Sequence, residues 1–136
     1  MQKVIVNGLI AGVVLLIVSV GILYVSIRVF PGMMEEYYDT NVFRGGGTRA
    51  MLYYVHPFIL ALALSWFWER FKGLFKGSFI FRGLELGLVY GLVAILPTMW
   101  ITFSAINVSE MMVLSWWVYG IVQAAVVGLI LAKLNP

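Results

Sequence analysis

Apolar residues run through this chain in four long blocks separated by short polar stretches. No lysine, arginine, aspartate or glutamate falls within residues 4–27, 50–68, 86–109 or 111–132. Each block meets the length of about 18 apolar residues that a helix needs to cross roughly 30 Å of hydrocarbon. The pattern predicts an all-α integral membrane protein, a four-helix transmembrane bundle with spans over residues 4–28, 50–68, 83–105 and 109–132. A loop over 31–49 and a basic loop over 69–82 connect them. The spans take up most of the sequence, so residues 1–136 read as one membrane domain. The first block is too long for a signal-peptide core and shows no small-residue cleavage site, so it is expected to be retained.

Within the blocks, small residues recur at helical spacing. In the third, Gly83, Gly87 and Gly91 repeat every four residues. With Ala94 and Thr98 they fall within about 80° of one another on a helix. In the first, Gly8, Gly12, Ser19 and Ser26 fall within about 40°. The fourth carries Gly120, Ala124 and Gly128 at the same interval. In lipid, helices gain little by hiding apolar surface from each other, and small-xxx-small stripes that admit close backbone contact drive their association. The third span is therefore expected to be the packing centre, with the first span's stripe as the mate of its glycine groove.

Composition agrees with the pattern and excludes the soluble alternative. The chain is 62% hydrophobic and 11% charged, against about a quarter charged in soluble domains. The absence of cysteine removes disulfides, thiol redox chemistry and iron–sulfur clusters. Charge placement then sets orientation. With the N-terminus in the cytoplasm, Lys3, Arg70, Lys72, Lys76, Arg82 and Lys133 lie inside, and Arg28, Arg44 and Arg49 lie outside. Six basic residues against three place both termini and the 69–82 loop on the cytoplasmic side. The expected location is the inner (cytoplasmic) membrane of a prokaryote.

The connections carry little chemistry. Pro31-Gly32 ends the first helix, and Met33 to Asp39 mixes methionine, tyrosine and acid as an interfacial turn does. Gly45-Gly46-Gly47 reads as a flexible link, with Thr48 as an N-cap for the second span. The glycines lack the Gly-Lys-Ser/Thr ending of a phosphate loop. In the second loop Arg70, Lys72, Lys76 and Arg82 alternate with phenylalanines, which points to contact with anionic headgroups of the bilayer rather than to nucleic acid. Asn107 to Glu110 fits a capping box for the fourth span.

Polar groups inside the spans are few. Glu85 lies one turn beyond Arg82, where it can pair with that residue or contact a proton or ion. His56, the one histidine, precedes Pro57. With Ser19, Thr98, Tyr119 and Gln123 it could form a polar pocket in the outer half of the bundle. No nucleophile–base pair, metal-ligand set or cofactor motif is present, so no catalytic residue, metal or cofactor is assigned. The expected role is a non-catalytic subunit or scaffold that assembles with itself or with a larger membrane complex through small-residue stripes. The alternative is an oligomeric channel or transporter for a small solute or ion, lined near His56.

Overall fold

The computed structural model describes residues 1–43 and 47–136. Arg44, Gly45 and Gly46, two of them in the expected glycine link, lie outside the described residues, as does the side chain of Arg49. Among the described residues every regular element is helical. In order they are α1 (Gln2–Val29), α2 (Pro31–Tyr37), a 3-10 turn (Thr48–Met51), α3 (Leu52–Phe71), α4 (Phe79–Tyr90), a π turn (Gly91–Ile95), α5 (Leu96–Ala105) and α6 (Glu110–Leu134). Three helical stretches are long and apolar enough to cross a membrane: α1, α4 through α5, and α6. Helix α3 is not among them. Its 20 residues reach about 30 Å, but two tyrosines, His56-Pro57, two tryptophans and Glu69 dilute its apolar character.

The helices pack as two antiparallel pairs. On α1, a Cβ added at Gly8 would meet Leu62 Cδ2 at 2.8 Å, and one at Gly12 would meet Phe58 Cδ1 at 2.7 Å. The stripe of the first span thus mates with α3. The expectation that it would mate with the glycine groove of the third span is corrected. That groove receives α6 instead. A Cβ at Gly83 would lie 2.6 Å from the Leu129 backbone nitrogen, and one at Gly128 would lie 2.6 Å from the Gly83 carbonyl oxygen. Gly87 faces Ala125, while Gly91 and Gly120 admit Ile121 and Ile95. Two glycines face each other because only there can main chains approach within van der Waals distance.

The packing centre is also not the third span. The main chain of α4 packs against α6 alone among the other long helices, whereas α6 touches α1, α2, α3, α4 and α5. The core along it includes Ala124, Val127 and Leu131, fully buried with Leu15 and Ala11 of α1 and Trp68 of α3.

One end of the bundle gathers the chain termini and the 72–78 connection. There the Trp68 indole donates to the Asn135 carbonyl at 2.9 Å, and Lys72 donates to Asn135 Oδ1 at 2.7 Å. Arg82 lies over the Trp68 ring at 5.0 Å and donates to the Lys72 carbonyl. Trp68 in turn stacks on Phe75, with ring centroids 5.3 Å apart. Lys72 and Arg82, expected at the membrane surface, are therefore turned inward as a clamp. Arg70, over Trp66 at 4.4 Å, and Lys76 remain exposed.

The opposite end is looser. The third span bends at the π turn, where the Leu96 N–H closes on the Gly91 carbonyl and Pro97 follows without a donor. The Trp117 indole donates to the same carbonyl at 2.9 Å. Beyond it α5 has no buried residue. Helix α6 begins at an N-cap provided by Ser109, whose hydroxyl accepts from Met112 N–H at 3.1 Å. The capping residue is Ser109, not Asn107 as the box reading had it. Thr48 likewise starts a 3-10 turn, and the N-cap of α3 is Met51.

Candidate functional site

At the loose end, the last turns of α1 and the first turns of α6 leave a gap that α2 crosses. Phe30 breaks the helix with φ −127° and ψ 61°, and Pro31 restarts it in a new direction as the first residue of α2. Beneath α2 is a cavity of about 450 Å³ whose walls include Ser26 of α1, Met34 and Tyr37 of α2, Tyr53 of α3, and Trp116 and Tyr119 of α6. Helix α2 is anchored over it by one carboxylate. The Ser109 N–H and hydroxyl both donate to Glu36, each at 2.6 Å. The Ser109 hydroxyl and backbone bonds hold the Glu36 carboxyl below its ordinary pKa. A chain of rings from Tyr37 through Phe43 to Trp116 closes one side, with centroid separations of 6.0 and 5.8 Å.

Behind the cavity wall a small polar cluster joins α1, α3 and α6, with Ser19 and Gln123 outside the lining. Gln123 is 4% exposed and Ser19 1%. The Gln123 amide donates to the Ser19 hydroxyl at 3.2 Å, and the Tyr53 hydroxyl donates to the Ser19 carbonyl at 3.3 Å. Beside Tyr53, the Tyr119 hydroxyl is buried and makes no hydrogen bond of normal geometry among the described residues. Toward the terminal end Leu15, Ala124 and Val127 are fully buried, so the cavity is blind. Among the described residues no charged side chain lines it. Chemically it offers apolar and aromatic walls with a few hydroxyls, those of Ser26, Tyr37 and Tyr119 among them, an arrangement suited to binding.

The expected five-residue polar pocket is therefore only partly assembled. Ser19 and Gln123 are joined and Tyr119 lies close by, but His56 and Thr98 are elsewhere. His56 is exposed on α3. Thr98 is exposed on α5, and its hydroxyl donates back to the Ala94 carbonyl at 2.7 Å. The physical reason is rotational. Helix α3 turns Pro57, Leu60 and Leu64 toward its neighbours, which leaves His56 on the outward side. Glu85 is exposed on α4 and does not meet Arg82, which is held by Trp68 and Lys72. Among the described residues no group of three histidine, cysteine or acidic side chains could hold a metal.

Sequence reasoning missed Tyr37, Tyr53, Trp116 and the Glu36–Ser109 anchor. A signal for the cavity did exist: Met33-Met34 precedes Tyr37-Tyr38, and Met111-Met112 precedes Trp116-Trp117. Paired flexible and aromatic side chains at the ends of two predicted elements suit an adaptable apolar wall. The anchor had no such signal, because Glu36 and Ser109 are 73 residues apart.

A second groove of about 500 Å³ lies between α5 and α6, lined by Met99, Trp100, Phe103, Val113 and Trp117 with Glu110 also on its wall. No family model, curated protein or solved structure matches the chain.

Proposed function

We propose that the chain is a four-span membrane protein acting as a non-catalytic subunit, assembling with further copies of itself or with a larger membrane complex. Both termini and the 69–82 loop lie in the cytoplasm, and α3 is the fourth span, carried across by its α1 and α6 neighbours despite its more polar composition. The observation that carries the reading is the exposed outer half of the third span. Helix α5 follows the π turn, packs on α6 but on no other helix of the bundle, has no buried residue, and exposes 77% of Trp100 and 66% of Ile101. A groove of about 500 Å³ runs along its contact with α6. A kinked helix with bulky aromatics on an open flank suits contact with a second protein, because packing and not water exclusion drives association in lipid. The small-residue stripes support a different part of the reading than expected: they close the helix pairs within one copy, so the outer contact falls to large side chains.

The test is the size of the assembly in lipid nanodiscs. The protein with Trp100→Ala and Ile101→Ala should drop to a single copy free of partners. Ile17→Ala, on the exposed side of α1 away from α5, should leave the larger species intact. A wild-type chain that is monomeric and partner-free in nanodiscs would remove the proposal.

A further inference from the structure

The cavity beneath α2 is not absorbed by the subunit role, and we infer that it is a binding site for one neutral, single-chain lipid bearing a hydroxyl or ester group, taken from the outer leaflet. The mouth of the cavity indicates the source. Met111, Leu114, Val118 and Val122 line it and are also exposed, so they form one stripe on α6 that faces hydrocarbon. A molecule already dissolved in the bilayer reaches the site along this stripe without entering water.

Three features of the walls select the ligand. Among the described residues, lysine, arginine, histidine, aspartate and glutamate are absent from the lining, so an anionic or cationic headgroup would lose its hydration to these walls without a counter-charge. The volume, about 450 Å³, falls within the usual range of small-molecule sites. A site of that size holds one drug-sized molecule, the scale of a single-chain lipid and not of a two-chain one. Finally, the Tyr119 hydroxyl is buried without a partner. The nearest polar group, the Tyr53 hydroxyl, donates to the Ser19 carbonyl, and no hydrogen bond of normal geometry joins the two phenols. A buried polar group of this kind calls for a partner, and a phenol can donate to an ester carbonyl or exchange hydrogen bonds with an alcohol. Flexible methionines at positions 33, 34, 111 and 112 fit a chain whose shape varies.

The inference rests on the membrane orientation proposed above, and the two fail in different ways. If the orientation is reversed, the lipid binds in the other leaflet but the labelled residues stay the same. The experiment uses full-length protein in nanodiscs containing a monoacylglycerol with a photoactivatable diazirine on its chain, and in parallel the matching diazirine fatty acid. Crosslinks from the monoacylglycerol should concentrate in residues 22–37 and 111–122. Tyr119→Phe, which keeps the ring and removes only the hydroxyl, should lower that labelling about fivefold, the effect of one net hydrogen bond. Ser26→Trp, which fills the cavity from the α1 wall, should abolish it, with helix content by circular dichroism checked for both variants. Labelling spread evenly over the exposed faces of α4 and α5 would mean ordinary surrounding lipid and would overturn the inference. Stronger labelling by the fatty acid, or no change in well-folded Tyr119→Phe, would overturn it as well.

Discussion

Glu36 is one of the few carboxylates whose position in the sequence says nothing of its importance. Its side chain joins α2 to the start of α6 through two 2.6 Å bonds from Ser109, and those bonds favour the charged form. The folded-state pKa therefore lies below the ordinary value of 4.5. A carboxyl with a depressed folded pKa gives stability that is fully present above its unfolded pKa and is lost as pH falls through the folded value. The anchor should hold at pH 4.5 and above and release at more acidic pH. Protection of the α2 amides, residues 32–37, taken relative to intrinsic exchange at each pH, should fall below pH 4.5 in the wild type. In Glu36→Gln the same amides should exchange faster at neutral pH and show no such step. Equal pH profiles for the two proteins would show that α2 is held by its methionine and tyrosine packing alone.

At the scale of the helix, the structure separates glycines that carry the fold from one that does not. A Cβ at Gly83 would lie 2.6 Å from the main chain of α6, while one at Gly21 on α1 would meet nothing within 4 Å. Gly83→Ala must push α4 from α6, because backbone cannot move aside as a side chain can. The expected cost is about 1–3 kcal/mol, the usual range for overpacking. Gly21→Ala has no such clash, and alanine is a better helix former by about 1 kcal/mol, so its stability should be unchanged or slightly higher. Unfolding of both variants in mixed micelles by added denaturing detergent reads the difference. Equal midpoints would mean that the α4–α6 contact is not limited by the glycine pair. The π turn belongs to this scale too. The Trp117 indole donates to the Gly91 carbonyl at its first residue, and α5, which follows it, forms one wall of the groove used in the proposed assembly.

For the whole molecule, the two helix pairs bring residues 3, 70–82 and 133 to one end and residues 28–43, 47–52 and 105–110 to the other. If the basic bias sets the orientation, the clamped end is cytoplasmic and the cavity end is outside. The chain has no cysteine of its own, so single cysteines report cleanly. Gly73→Cys, exposed and with open space around it, should be shielded from an impermeant thiol reagent added to intact cells. Thr40→Cys, exposed in the other loop, should be labelled. The reverse pattern would invert the molecule, and labelling of both would mean that α3 does not cross. This arrangement closes the molecule at one end with the Trp68–Asn135 and Lys72–Asn135 bonds and leaves it open at the other.

What the sequence determined by itself is what depends on neighbours along one helix. The all-helical character follows from apolar blocks far longer than a strand, the helix stop at Pro31 from the missing amide, and the start near Ser78 from its side-chain cap. The glycine stripes were legible because spacing alone puts their members on one face. Pairing was not legible. A stripe says that something fits against it, but Gly8 and Gly12 could equally have faced α4, and only the three-dimensional packing chose α3. The same limit applied to His56: its depth was readable, its direction was not, since the rotation of α3 is set by which residues its neighbours bury. The cavity lies furthest from the sequence. It arises where α1 and α6 diverge and α2 lies across them, and its walls come from four helices spanning residues 22 to 122. A hydrophobic pattern reports only that each wall is apolar. The empty space between the walls, and the unpartnered Tyr119 hydroxyl facing it, exist only once the helices have been placed.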